Sequence, residues 1–546
     1  MVSLGARCHN VFQHISKVYN VNRSTCLLSL LPRCEFSTYC IVSSERCLPP
    51  NKPYSVRYSH SFASTEVSQH ISIHDELDGK SPLLACELQY CVRVGSGVKG
   101  DPPVVLLDGS EPSFFTAHLQ VVSNEGPEVD TIEVCEYSET TLQKYRPQSD
   151  KGTVYKAGSV LNYSFRVMEE SANMMCCLSL CYSDGTFLGR GYLALDQITL
   201  LDHIALPLIN ETDTIIGLLA CSILEIKGLK QPPPSLSPAT TDYSTTLEIG
   251  HRGCGVTHTD KELFSELPCL PENTIASMET AYRHGAHMVE TDVVVTQDLR
   301  AVLYHDLEIE LPGKRKVPIC HMTSHALEWA PTEGLIVDEK QRSQQLLLRQ
   351  NEELAELQQK SKPYPYLSDA LRTLPSELGL MLEVKADLPY EGAENVTYHA
   401  DKNVYLDVIL HDLFHNVANR NLILCSFCPD TCVMLRNKQN RWPVVLIVQG
   451  STETYADCLD NRVSCLKASV TMATAENLHG ISIFSGLLKD NPASVIESVK
   501  QTGLFTFVWG YHCCDQQFRD EMRSSEIGGI IYDRIYEENL PKKNIF

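Results

Sequence analysis

Basic residues are scarce in this chain. Lys and Arg number 46 against 68 Asp and Glu, a formal charge of −22 over 546 residues. That deficit argues against nucleic acid as the main partner, because phosphate backbones are bound through an excess of Lys and Arg. A small anionic substrate stays open, since a local site or a metal ion overrides the global field. Long apolar runs are missing too. The most apolar stretch, residues 200–229, is broken by Asp202, His203, Asn210, Glu211 and Asp213. A transmembrane segment needs about 20 mostly apolar residues, so none is expected. No cysteine pairs repeat at zinc spacing, and no internal repeat of fixed period occurs. The 22 cysteines are scattered and include the neighbours Cys176–Cys177 and Cys513–Cys514. In a long chain this reads as reduced thiols in a cytoplasmic protein rather than as a disulfide scaffold. With 43% hydrophobic and 21% charged residues, a mainly disordered or fibrous chain is ruled out.

Four regions are expected. Residues 1–80 show no sustained periodicity. Their first 34 residues carry Arg7, Lys17, Arg23 and Arg33 but no acid. That composition suits a mitochondrial leader, and the plainer alternative is a poorly structured leader. Residues 81–229 alternate like strands: Leu161, Tyr163, Phe165 and Val167 interleave with Asn162, Ser164 and Arg166. Such alternation predicts an antiparallel, β-sandwich-like domain with one face on a core and the other in water. Residues 230–245 hold Gln231-Pro232-Pro233-Pro234-Ser235-Leu236-Ser237-Pro238, an extended Pro/Ser linker. From 246 to 546 the rhythm becomes strand–helix. Short apolar runs fall at 247–249, 288–295, 379–384, 422–427, 444–448, 480–484, 505–509 and 529–532. Eight βα units predict an α/β fold, a (β/α)₈ TIM barrel. Helical spacing and the stop at Gly285 predict one helix over 273–284. Residues 338–360, rich in Gln, Glu, Leu and Lys, read as an amphipathic helix inside an insertion.

Barrels place their chemistry at the carboxyl ends of the strands. Here those ends are polar. The first run leads into Gly250-His251-Arg252-Gly253, and the second contains Glu290-Thr291-Asp292. Residues two apart on a strand share a face, so both carboxylates point the same way. Ala301-Val302-Leu303-Tyr304 ends at His305-Asp306, and the third barrel run places Glu383 and Lys385 together. A carboxylate pair inside a barrel repels itself unless a cation neutralises it. Oxygen ligands favour Mg²⁺ or Ca²⁺. Two histidines beside such a cation supply an acid and a base, and the Arg252 fork suits phosphate. The set reads as a metal-assisted phosphoryl-transfer site. Each motif alone has a bland reading as a turn, an exposed face or a surface ion pair. Their order at successive strand ends carries the inference.

His251-Arg252-Gly253, Pro271-Glu272-Asn273-Thr274, Glu290-Thr291-Asp292, His305-Asp306 and Leu382-Glu383-Val384-Lys385 resemble the motif series of the glycerophosphodiester phosphodiesterase family. The likeness continues through Ser426-Phe427, Val508-Trp509-Gly510 and Gly529-Ile530-Ile531-Tyr532-Asp533-Arg534. Lys438-Gln439-Asn440 resembles the subgroup that acts on glycerophosphocholine and carries an N-terminal extension. The resemblance implies His251 and His305 as the acid–base pair and Glu290, Asp292 and Glu383 as ligands of one divalent metal ion. It implies Arg252, Lys385 and Trp509 as substrate-binding groups. The implied substrate is a small glycerophosphodiester, cleaved to glycerol 3-phosphate and an alcohol such as choline.

Two departures stand out. Vertebrate members of that subgroup carry an amino-terminal module that stacks sugars on tryptophan, whereas Trp329, Trp442 and Trp509 are the only tryptophans here and all follow the linker. Carbohydrate binding by residues 1–80 is therefore not expected. Many bacterial relatives end the seventh strand in Trp-x-x-Asn, where this chain has Trp509-Gly510-Tyr511-His512. Two competing readings are a phospholipase-D-like action on a choline lipid and a non-catalytic scaffold using the β domain. A mostly polar insertion disfavours the first, and the presence of all five catalytic and metal positions disfavours the second.

Overall fold

In a computed structural model of the chain, residues 83, 87–95, 97–98, 100–123, 129, 131–138, 143–168, 174–195, 203–230, 246–256, 270–330, 359–391, 401–489 and 491–538 are described. The leader expected over 1–80, the linker and most of the helix expected over 338–360 lie outside the described residues.

The eight apolar runs of the C-terminal half form eight strands: β1 Leu247–Gly250, β2 Met288–Val295, β3 Gly379–Val384, β4 Leu422–Ser426, β5 Val444–Val448, β6 Gly480–Phe484, β7 Phe505–Trp509 and β8 Gly529–Tyr532. Each pairs in parallel with the next, and Leu247 of β1 pairs with Gly529 of β8, which closes the ring. Alternate residues fill the barrel: Leu247, Ile249, Met288, Met381, Ile423, Val445, Phe507 and Ile531 make one core cluster. The outward set, with Leu380, Leu382, Leu422, Leu424 and Leu446, packs on the helices. Burying such a side chain contributes about 1.5–3 kcal/mol. The helices are α1 Ile275–Arg283, α2 Leu367–Thr373, α3 Lys402–Asn416, α4 Pro429–Lys438, α5 Leu466–Ala475, α6 Pro492–Lys500 and α7 Gln516–Ser524, besides a short helix at Ser324–Glu328. The helix expected over 273–284 is α1. Thr274 caps it by accepting from the Ser277 N–H, and Gly285 follows at φ 97°.

The preceding region is an antiparallel sheet of 11 strands between Glu87 and Lys227. It is one hydrogen-bonded sheet that curls over itself. The Tyr163 hydroxyl donates to the Ala117 carbonyl at 2.8 Å, although their strands are remote in the sheet order. Leu161, Tyr163, Phe165 and Val167 lie in its core, as their alternation predicts. The other face does not lie in water. Gln89, Arg93, Asn162 and Ser164 are all buried, because this face meets the barrel helices. Asn162 and the hydroxyls of Tyr137 and Tyr145 converge on Glu476, just past α5. Lys438, at the end of α4, donates to the Lys227 carbonyl at 2.6 Å and to Asp407 at 2.8 Å. Polar residues stay buried here because they are hydrogen-bonded: Arg93, Asn162 and Lys438 across the contact, and Gln89 to Ser164 Oγ at 3.0 Å within the sheet.

Arg93 and Arg462 both reach Asp430 in the first turn of α4. Burial pushes the Asp430 carboxyl up, but Arg462 and Arg93 outweigh it and hold the group well below the usual range. Its stabilisation is then complete above the unfolded value of about 3.9 and is lost as pH falls through the lower folded value. Asp430→Asn should lower Tm at neutral pH and flatten its decline below about pH 4. Parallel declines in the two proteins would contradict this.

Candidate active site

The strand-end residues form a polar layer on top of the apolar barrel interior. Leu247 and Ile249 point inward, so His251, two further on, caps the same face; Met288 leads likewise to Glu290 and Asp292, and Met381 to Glu383 and Lys385. Asp292 stands directly opposite Glu383 in the β2–β3 register. Glu290, Asp292 and Glu383 each offer an oxygen within 4.8 Å of the others, and all three are buried. Lys385 Nζ donates to Glu383 Oε1 at 2.6 Å and lies 3.5 Å from Asp292 Oδ1.

Arg252 adopts φ 48°, a left-handed conformation that costs a non-glycine residue roughly 1–3 kcal/mol. That turn aims its backbone N–H at Glu290 Oε2, 3.0 Å away. Its side chain bonds Glu272 at 2.8 Å and approaches Asp292 at 3.4 Å. Gly253 completes the turn at φ 89°; a Cβ there would sit 2.4 Å from Ser277 Oγ and 2.8 Å from the Ser277 backbone. The glycine thus lets α1 pack against the loop. Asn273 clamps the second carboxylate. It donates to Asp292 Oδ2 at 2.9 Å while its own Oδ1 accepts from Thr291 Oγ1 at 2.8 Å.

Both histidines are oriented by a carboxylate. His251 Nδ1 lies 2.8 Å from Asp533, which follows β8, and His251 Nε2 faces Glu290 at 3.8 Å. His305 Nδ1 lies 2.6 Å from Asp306. Burial works against charging His251, but Asp533 prevails and raises its pKa. Burial and then Arg252 and Lys385 lower that of His305. Trp509, at the end of β7, packs edge-on to Phe427 at 5.5 Å and tilted against Phe484 at 5.0 Å. At the last position of the Trp509-Gly510-Tyr511-His512 sequence, His512 Nδ1 meets Ser485 Oγ at 3.1 Å.

The carboxylates fit a hard divalent cation. Burial, followed by repulsion from Asp292, pushes Glu290 up to about 8. Burial raises Asp292 as well, but Lys385, His305 and Arg252 together pull it below its usual range. The local cations do not balance both groups, since Arg252 is already bonded to Glu272. Asp292 Oδ1 is buried and has no hydrogen-bond partner among the described residues. Three converging carboxylate oxygens, one of them without a hydrogen bond although it faces Lys385 Nζ at 3.5 Å, suit Mg²⁺ or Ca²⁺.

The profile of the glycerophosphoryl diester phosphodiesterase family matches residues 251–537, more than half of the chain. The chain belongs to this family. A human glycerophosphocholine phosphodiesterase is 33% identical over 316 residues, 55% of this chain and 45% of its own. The rat protein of that name is 30% identical over 362 residues, 63% of this chain and 52% of its own. A Caenorhabditis elegans homologue is 26% identical over 540 residues, 91% of this chain and 71% of its own. The chain thus spans about half the length of the two mammalian relatives.

All eight residues expected to act are at or beside this strand-end layer of the family barrel. Four contributors were quoted in the sequence motifs without a role: Asp533, Asp306, Glu272 and Asn273. Asp533 is legible in principle, because the residue after the last barrel strand must sit beside the residue after the first. Glu272 and Asn273 have no such signal, for they reach the site from a loop. Lys438 and Gln439, part of a subgroup motif, are structural: Gln439 bonds Trp442 at 2.8 and 3.0 Å.

Proposed function

We propose that this protein is a metal-dependent phosphodiesterase that hydrolyses small glycerophosphodiesters, glycerophosphocholine foremost, to glycerol 3-phosphate and the free alcohol. The observation that carries the reading is the buried Glu290–Asp292–Glu383 cluster flanked by two carboxylate-oriented histidines. The names of the mammalian relatives support the choice of glycerophosphocholine. Every described cysteine is a free thiol, which supports a cytoplasmic setting, and no helix among the described residues is long and apolar enough to cross a membrane.

Glu290, Asp292 and Glu383 would hold one Mg²⁺ or Ca²⁺, which when bound supplies Lewis-acid stabilisation of phosphoryl charge. Arg252 and Lys385 bind the non-bridging phosphate oxygens. One histidine takes the proton of the attacking hydroxyl, and the other protonates the departing alcohol oxygen. With the substrate's own glycerol hydroxyl as nucleophile, a P–O bond to glycerol forms as the P–O bond to choline breaks. The resulting cyclic phosphate is then opened by water to glycerol 3-phosphate. Asn273 keeps Asp292 oriented throughout, and Asp533 and Asp306 keep each ring's Nε2 turned to the substrate.

Three further outcomes follow from this assignment. Asp533→Asn leaves the His251 ring in place but presents the wrong hydrogen-bonding group, so kcat should fall by about 10²-fold with metal binding intact; unchanged kcat would contradict the pairing. A substrate lacking the free glycerol hydroxyl should not turn over, and equal rates would replace internal attack by direct attack of water. Glycerophosphocholine should outpace glycerophosphoethanolamine and glycerophosphoinositol in glycerol 3-phosphate release. Faster cleavage of lysophosphatidylcholine than of all three would favour a lipid substrate instead.

A further inference from the structure

Four buried charges between the sheet and the barrel have no part in this chemistry, yet they lead to the mouth of the site. Arg93 of the strand Glu87–Val94 donates Nε to Ser222 Oγ at 2.9 Å and both terminal nitrogens to Asp430 at 2.5 and 3.2 Å. Asp430 lies in the first turn of α4, four residues beyond the end of β4 and so at the catalytic end of the barrel, and its Oδ1 also accepts from Arg462 Nη1 at 2.5 Å. Arg462 turns back onto its own loop and grips Asp460 through Nε and Nη2 at 3.0 and 2.7 Å. Arg93 is 3% exposed and the other three are 8% exposed.

The backbone repeats this connection. Asn461 N–H donates to the Gly97 carbonyl at 2.8 Å, and Val98 pairs with Asp460 in an antiparallel bridge. On its other side the loop is bonded to the segment after β3: Leu459 N–H to Pro389 O at 2.8 Å and Glu391 N–H to Asp457 O at 2.9 Å. The β5 loop, residues 449–465, is therefore held by the sheet on one side and by the β3 loop on the other. It carries Tyr455, whose ring lies 5.1 Å from Phe484 and 6.1 Å from Trp509. Trp509 ends β7, so the Tyr455 ring beside it borders the strand-end layer that holds the catalytic groups.

We propose that the antiparallel sheet positions the specificity wall of the active site: Arg93, through Asp430 and Arg462, fixes the 449–465 loop so that Tyr455, with Trp509 and Phe427, receives the alcohol part of the diester. The proposal rests on the phosphodiesterase reading above. Its physical case is that buried ion pairs are poor glue, since apolar replacements of equal volume often dock as well or better. What a chain of bidentate pairs supplies is a single register between two surfaces. An aromatic wall held in that register attracts a cationic alcohol through cation–π contact.

The test uses the full chain with Arg93→Met, Arg93→Lys and Tyr455→Leu. KM for glycerophosphocholine should rise at least about 10-fold in Arg93→Met and Tyr455→Leu, as loss of one cation–π wall implies, with kcat nearly unchanged. Combining the two should add little, because both remove one feature. Arg93→Lys, which keeps the charge but loses the fork, should fall between. Glycerophosphoethanol, with an uncharged alcohol, should lose far less. Hydrogen exchange is the readout independent of turnover: amides of 457–461 should exchange faster in Arg93→Met while β4 and β6 stay protected. A lowered Tm with unchanged KM and unchanged exchange in that loop would overturn the proposal, as would effects that simply multiply. If Arg93→Met does not fold, Asp460→Asn, inside the loop itself, carries the same expectations. If the unaltered protein cleaves no diester, the functional reading fails, and the exchange arm still decides whether Arg93 holds the loop.

Discussion

Glu290→Gln is expected to abolish turnover and divalent-cation binding measured by calorimetry, while Tm in chelator stays the same or rises. Removing Lewis-acid stabilisation costs several kcal/mol, and about 4 kcal/mol corresponds to three powers of ten in rate. The stability expectation has a separate cause. Burial and Asp292 already push the Glu290 carboxyl up to about 8, so without a cation this group is held at an electrostatic disadvantage. Glutamine keeps the shape and removes the repulsion. Asp292→Asn should silence the enzyme equally but destabilise it, because its carboxylate is bonded by Asn273 and faced by Arg252 and Lys385. A Glu290→Gln protein that still bound the cation and turned over would remove this residue from the site. A marked fall in its Tm would contradict the repulsion argument.

The histidines should behave differently from the carboxylates. Positioned acid–base groups contribute roughly 10²- to 10⁴-fold. His251→Ala and His305→Ala should each lose at least about 10²-fold in kcat with cation affinity retained. Their double variant should be little worse than either single one, since each step of the transfer needs both groups. Calorimetry on the same samples separates the outcomes: lost cation binding in His305→Ala would make that residue a ligand rather than a proton carrier. Near-normal turnover in both variants would remove the acid–base assignment altogether.

The barrel was legible in the sequence because parallel strands buried on both faces read as unbroken apolar runs, as in Val444-Val445-Leu446-Ile447-Val448. Much of the polar layer was legible because His251, Glu290, Asp292 and Glu383 continue the inward alternation of Ile249, Met288 and Met381, whereas Arg252 in its left-handed turn and His305 after the strand Ala301–Leu303 do not. What escaped was created by closure and docking. Asp533 becomes the neighbour of His251 only when β8 meets β1. Gln89, Arg93 and Asn162 look like a solvated strand face, since a polar residue facing water and one facing a partner across an interface give the same alternation. Their burial shows that this face of the sheet packs against the barrel helices.

On the proposed reading, Glu290, Asp292 and Glu383 would hold a cation whose charge supports cleavage on the alcohol side of phosphorus. Phosphorus NMR of glycerophosphocholine incubated with the purified full chain, before and after excess chelator, tests it most directly. The expected result is glycerol 3-phosphate as the phosphorus product, no phosphocholine, arrest of the signal by chelator and its return with Mg²⁺ or Ca²⁺. Phosphocholine as the product, or undiminished turnover in excess chelator, would contradict it.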